Sequence, residues 1–328
     1  TLRMVSKSRT MSLSNQHGGL PLRPFFFLGV CLFALLNRAD FLWAADKIKI
    51  VATPNTFSSI AKEITKDRAD LYFIASPRRD IHFIAPTPKD VLKVKKADVF
   101  VHGGLDLEAW RGPLLDAVGR REFMPAGGRA IDVSKGIELL EVPTVLSRLE
   151  GDIHAFGNPH YWMDPVNAEI IAQNIADGLA RIYPDQAEFF QKNAQDFKAR
   201  IEEKLKVWSE RMKPYRGENV VTYHKSWPYL AGRFSLRILD QLEPKPGIPP
   251  TAKHLNQLVK AMKEQGARII VRESYHEKRS PDKIGRETGA FVLELTQAVG
   301  EPKEAADYIS MIEYNLNLLE QALSKQGK

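Results

Sequence analysis

His82, His160, His224 and Glu273 each stand just past an apolar run or just before a helix start. Open α/β sheets place their ligand crevice at that edge. Three imidazoles and a carboxylate, drawn there from different loops of two sheets, would form a nitrogen-rich cation site of the sort zinc accepts. Cysteine chemistry is excluded: the chain has one cysteine, Cys31, which can form neither an intramolecular disulfide nor a multi-cysteine metal site. Any metal must be held by His, Asp and Glu.

The local sequence around each candidate is that of a loop entering regular structure. His82 precedes Pro86-Thr87-Pro88-Lys89-Asp90, where Thr87 can cap a helix with Pro88 in its first position and Asp90 three residues after the cap. His160 lies in Asn158-Pro159-His160-Tyr161-Trp162-Met163-Asp164-Pro165, with Asp164-Pro165 a second cap followed by proline. His224 closes the apolar run Val220-Val221-Thr222-Tyr223, and Glu273 closes Ile269-Ile270-Val271-Arg272.

The elements that must position these residues alternate between short β-branched runs and amphipathic stretches, the pattern of βα units around mainly parallel sheets. Expected strands are 48–53, 71–75, 99–102, 220–224, 238–242, 269–273 and 291–295. Two α/β lobes follow from 328 residues of ordinary globular composition, 44% hydrophobic and 27% charged. Between them, Phe190, Ala194, Phe197, Ile201, Leu205, Trp208 and Met212 recur at spacings of three or four, predicting one helix over 184–212. At 1.5 Å per residue it would reach roughly 40 Å, enough to run along both lobes or along the surface of one domain.

The formal net charge is +7, but the basic residues are scattered, which argues against a nucleic-acid partner. Residues 1–45 read as a leader: Arg23 precedes the apolar run Phe25 to Leu36, too short for a comfortable membrane span, and Ala44-Ala45 offers small residues for cleavage. Secretion through a signal peptide is expected, with the residues before Met11 upstream of the true start. Val30 is the wrong size for a lipoprotein box before Cys31, so no lipid anchor is expected there.

The segments Asp80 to Pro88, Pro159 to Pro165 and Thr222 to Tyr229 together resemble, in order, flanks and separation, the metal-binding solute-binding proteins of zinc/manganese ABC importers. The resemblance covers essentially everything from Ile48 onward. It implies a periplasmic, monomeric protein whose two lobes (46–183 and 214–328) are joined by a rigid helix (184–213), with metal held in the interlobe cleft and delivered to a membrane permease. It carries over His82 and His160 as ligands of the first lobe and His224 as the ligand that zinc-type members use and manganese-type members commonly replace with a carboxylate. Zn2+ is therefore expected over Mn2+, in agreement with the preference of zinc for imidazole. The family's late-loop aspartate has no match, since the region reads Leu293-Glu294-Leu295-Thr296. Glu273 matches a glutamate beside the site and is the expected fourth ligand, with Glu294 or a water as alternatives.

Of the remaining histidines, His154, near Asp152, reads as a solvated loop residue, with metal capture as the lesser alternative. His102 is expected to be structural, and His254 and His276 to lie on the surface. Tyr161, Trp162, Trp227 and Tyr229 crowd the ligands as a water-excluding wall, as interlobe packing, or as both. Asp164 reads as a helix cap, and Asp80 as an imidazole partner or an exposed residue. Three functions fit the residues: a carrier that makes and breaks no bond, a secreted zinc hydrolase with Glu273 as general base, and a manganese-binding or adhesin-type member of the same family. The hydrolase lacks any His-Glu-x-x-His pattern.

Overall fold

The computed structural model describes residues 46–144, 154–245 and 247–325. The segment expected to be a leader, with Cys31, and Asp152 lie outside the described residues. From Lys47 onward the chain forms one unit. In chain order its elements are β1 (Ile48–Pro54), α1 (Asn55–Thr65), β2 (Ala69–Ala75), α2 (Pro88–Lys95), β3 (Val99–His102), α3 (Arg111–Val118), β4 (Ala130–Asp132) and α4 (Pro165–Ile182), then α5 (Ala187–Met212). There follow β5 (Asn219–Thr222), α6 (Pro228–Arg233), β6 (Arg237–Gln241), α7 (Ala252–Gln265), β7 (Ile269–Arg272), α8 (Arg279–Thr288), β8 (Phe291–Glu294) and α9 (Tyr308–Leu323).

The strands form two all-parallel sheets of matching order, β2-β1-β3-β4 and β6-β5-β7-β8. Parallel sheets carry helices on both faces, and the central strands read accordingly as continuous apolar runs: β7 is buried throughout and β1 at all but Lys49. In each sheet the chain reverses direction beside the first strand, between β1 and β3 and again between β5 and β7. Ligands of open α/β sheets sit outside such switch points. His224 and Glu273 follow the two strands that flank the second one.

The expected caps form. Thr87 Oγ1 accepts from the Asp90 backbone N–H while the Asp90 carboxylate accepts from that of Thr87, with Pro88 in the first turn. Asp164 accepts from the Val166 N–H at 3.0 Å and Pro165 opens α4. The long helix departs slightly from expectation: Pro184–Gln186 makes a tight 3-10 turn and α5 proper begins at Ala187. The strand at Ala130–Asp132 was not expected, because three residues beside Gly127-Gly128 are too few to show a period. Both ligand-bearing strands end early, β5 at Thr222 and β7 at Arg272, which leaves His224 and Glu273 in the loops beyond and free of ladder geometry.

The first lobe's core runs into the helical layer, where Phe190, Phe197, Ile201 and Trp208 of α5 meet Tyr308, Met311 and Leu316 of α9. Helix α9 lies against both α5 and α1, so the last helix of the chain packs back across the connector. Arg211 of α5 clamps it, donating to Glu320 at 3.0 Å and Asn317 at 2.5 Å and pairing with Glu313. The second sheet keeps a separate core of Val221, Leu242, Leu258, Met262, Ile270 and Ile284. The lobes are further tied by Arg233, whose guanidinium grips the Asp164 carboxylate through two bonds of 2.7 Å, and by the Tyr229 hydroxyl, which donates to Asn158 O at 2.8 Å. Asp164 is thus both a helix cap and an interlobe anchor.

Candidate metal centre

Three imidazoles converge between the lobes. The ring centroid of His160 lies 5.0 Å from that of His82 and 5.4 Å from that of His224, and His82 and His224 are 5.8 Å apart. His82 Nε2 and His160 Nε2 face each other at 3.1 Å. His82 comes from the turn Ile81–Phe83, whose backbone is fixed by the Asp80 carboxylate accepting from the His82 N–H at 2.9 Å. Asp80 thus serves the backbone of His82 rather than its ring. His160 stands just before the turn Tyr161–Met163 that leads into α4.

The outer nitrogen of each ring is engaged. His82 Nδ1 donates to the carbonyl of Leu107 at 3.1 Å, His160 Nδ1 to Gln297 Oε1 at 2.8 Å, and His224 Nδ1 to the Glu243 carboxylate at 2.8 Å. Each acceptor is an oxygen with no proton to give, so each Nδ1 carries the proton, and the Nε2 lone pairs of His82 and His160 are left facing each other. Two neutral imidazoles with lone pairs opposed at 3.1 Å repel one another unless a cation lies between them, and outer hydrogen bonds of this kind orient metal-ligating histidines.

The electrostatics keep the first-lobe nitrogens unprotonated. Burial, reinforced by the charge of His224, drives His82 down to about 3. His160, 1% exposed, is held well below its usual range by burial and by its histidine neighbours. His224 behaves oppositely: burial disfavours its charged form, but the Glu243 hydrogen bond and carboxylate outweigh that and raise its pKa.

Glu273 is 1% exposed. Burial favours its neutral form, yet the His276 bond and charge more than compensate, and its pKa is lowered. One oxygen accepts from Trp227 Nε1 at 3.1 Å and the other from His276 Nδ1 at 2.9 Å. Glu294 faces away, pairing with Arg272 and Lys278 with its side chain 46% exposed. The Thr296 hydroxyl donates to Ala298 O.

Two histidines are placed otherwise than their sequence context suggests. His154 is partly buried inside the cluster, its centroid 4.7 Å from His82 and 6.4 Å from His160, rather than solvated. His276 is not a surface residue: its side chain is 9% exposed, and its ring stacks on Tyr223 at 4.1 Å while bonding Glu273. His254 is half-buried, with its Nε2 donating to Gln241 O at 2.8 Å, and His102 is buried against Arg111 at 2.7 Å. The aromatic wall is built as packing with polar tips: Tyr161 donates to Gly103 O, Trp162 to Gln297 O and Trp227 to Glu273. Glu243 and Gln297 were not foreseen. Glu243 could have been, since it follows an expected strand at the same sheet edge, whereas Gln297 sits in a loop with no motif of its own.

A cleft between two parallel α/β lobes, spanned by a long helix and lined by converging imidazoles, defines a solute-binding protein of the metal-binding type. Residues 50–322 match the model of the periplasmic zinc-uptake complex component A (ZnuA) family, and the chain belongs to that family. It is 28% identical over 287 residues to the high-affinity zinc uptake system protein ZnuA of Bacillus subtilis, covering 85% of this chain and 88% of that protein. It is 27% identical over 304 residues to the zinc-binding lipoprotein AdcA of Streptococcus pneumoniae strain R6, covering 91% of this chain but only 60% of AdcA. Among solved structures, a crystal structure of ZnuA superposes with a TM-score of 0.73 at 23% identity, over 85% of this chain and all of that one, a likeness of fold. A mutant of the laminin-binding adhesin Lmb from Streptococcus agalactiae gives 0.72 at 26% identity, over 84% and 99%. No helix among the described residues is long and apolar enough to cross a membrane.

Proposed function

We propose that this protein is an extracytoplasmic carrier that captures Zn2+ in the interlobe cleft through His82, His160 and His224 and delivers it to an ABC permease. The carrying observation is the pair of Nε2 lone pairs opposed at 3.1 Å, each locked in place by an acceptor on the far side of its ring. Kinship to proteins named for zinc uptake and zinc binding supports the choice of metal, as does a donor set of neutral nitrogens, which suits zinc better than manganese. Glu273 lends negative charge at the edge of the cleft, with each of its oxygens already accepting one hydrogen bond, from Trp227 and from His276. The carrier works as a monomer, with 46–183 and 214–328 as its lobes and 184–213 as the connector, and reaches the periplasm through its leader.

Isothermal titration of the purified protein with Zn2+ tests this reading. One equivalent should bind, and His224→Ala and His82→Ala should each bind far more weakly while unfolding as the parent does. Zinc binding in both variants equal to that of the parent would falsify the assignment.

A further inference from the structure

The nitrogen atoms that His82, His154 and His160 can offer all lie within 4.8 Å of one another. Imidazoles sharing one tetrahedral zinc at bonds of about 2.0–2.1 Å bring their ring centroids to roughly 5 Å apart. The 4.7 Å between His82 and His154 is of that order, as are the 5.0 and 5.4 Å separating His160 from His82 and His224.

His154 also has the outer support that the other three possess. The backbone carbonyl of Asp106 faces it and favours a proton on the nearer ring nitrogen, leaving the other for an ion. The next carbonyl, that of Leu107, does the same for His82. Both belong to a turn in which Leu105 and Asp106 take left-handed φ of 53° and 57°, a backbone conformation uncommon outside glycine. One strained turn after β3 therefore serves two imidazoles. The oxygen donors near the cleft are otherwise occupied: Glu273 by Trp227 and His276, Glu294 by Arg272 and Lys278.

We propose that His154 is the fourth ligand, so that the ion is held by four imidazoles and by no protein oxygen. This rests on the reading that Zn2+ occupies this cleft. Two of the four ligands then come from one loop, six positions apart, so the first lobe supplies three nitrogens and the second only His224. An all-nitrogen shell selects against manganese, which prefers oxygen-rich sites. The ligands stay neutral, and a carboxylate that balances the ion's charge, Glu243, sits one hydrogen bond further out, on His224.

X-ray absorption at the zinc edge of the zinc-loaded full chain counts coordinated imidazoles directly, and the same measurement on His154→Ala supplies the comparison. The expected result is four imidazoles in the parent and three in the variant. Chelator competition should show zinc affinity lowered at least about tenfold, the smallest cost typical of losing even an outer-shell partner. A parent shell of three imidazoles overturns the proposal and leaves the zinc-capture reading standing, as does an affinity unchanged by the substitution. Failure of the parent to bind one equivalent of Zn2+ overturns that reading, and the fourth ligand with it. The parent's imidazole count is informative whether or not the variant folds.

Discussion

Gln297, in the loop after β8 of the second lobe, accepts the Nδ1 proton of His160, in the first lobe, at 2.8 Å. An amide of one lobe thus sets the tautomer of a ligand in the other. The amide nitrogen of the same side chain donates to the Tyr275 hydroxyl, so the amide cannot flip without losing that bond, and the Gln297 backbone carbonyl separately receives Trp162 Nε1 at 2.8 Å. Gln297→Ala should lower zinc affinity by about 10–100-fold, the usual cost of losing an outer-shell partner, with the far-ultraviolet circular dichroism of the metal-free protein unchanged. Competition titration with a zinc chelator measures it, and parent-like affinity would show that His160 needs no such orientation.

Proton competition for the site should come from one residue. Metal-binding imidazoles must be neutral. His82 and His154 are driven to about 3, chiefly by burial, and His160 is likewise lowered, so all three are already neutral throughout the range in which histidines ordinarily titrate. His224 alone is raised, burial being outweighed by Glu243. Below its pKa the logarithm of zinc affinity should rise with a slope of about one per pH unit and then flatten. A slope near four would mean that all the imidazoles titrate together. In Glu243→Gln the flattening should move to lower pH.

Glu108 and His82 should bound the stability of the metal-free protein from opposite sides. Burial pushes the Glu108 carboxyl up to about 7 despite bonds from Thr53 and the Gly103 N–H. Between its ordinary value of 4.5 and 7 the folded state holds the extra proton, so stability is full at the acid end and falls as pH rises, by at most about 3 kcal/mol. For His82 the unfolded chain binds the extra proton between 6.5 and about 3, so stability is lost as pH falls through that window. Urea unfolding should show Glu108→Gln gaining on the parent at pH 8 relative to pH 5; an equal difference at both would refute the Glu108 shift.

The Arg233 and Asp164 pair joins α6 of the second lobe to the cap of α4 in the first, with both bonds at 2.7 Å and the two side chains 34% and 12% exposed. Since the pair is partly solvated, Arg233→Met should cost only about 1 kcal/mol. Asp164→Ala removes the helix cap as well and should cost about 1 kcal/mol more. Equilibrium denaturation of the two variants separates the contributions, and equal losses would mean that the cap contributes nothing.

Much of this protein is legible along the chain, because the signals involved are local. Short β-branched apolar runs ended by polar residues located seven of the eight described strands, and spacings of three and four located α5 to within three residues. Caps at Thr87 and Asp164 depend only on residues up to three positions away. His82, His160 and His224 could be singled out because a residue's place at a strand or helix end follows from its own neighbours. What the sequence left undecided is which polar groups meet once two sheets and a long helix have packed. His154 reads as a loop histidine until the β3–α3 turn brings Asp106 and Leu107 beside it. His276 reads as exposed until Tyr223 stacks on it. Glu273 reads as an available carboxylate until Trp227 and His276 take up its oxygens. Each of these contacts joins residues from different loops, and hydrogen-bond partnership depends on distances of tenths of an ångström that only the tertiary structure sets. The sequence by itself determined the kind of site, an edge rich in imidazole and free of thiol. Packing decided which nitrogens face the ion and which oxygens are already occupied.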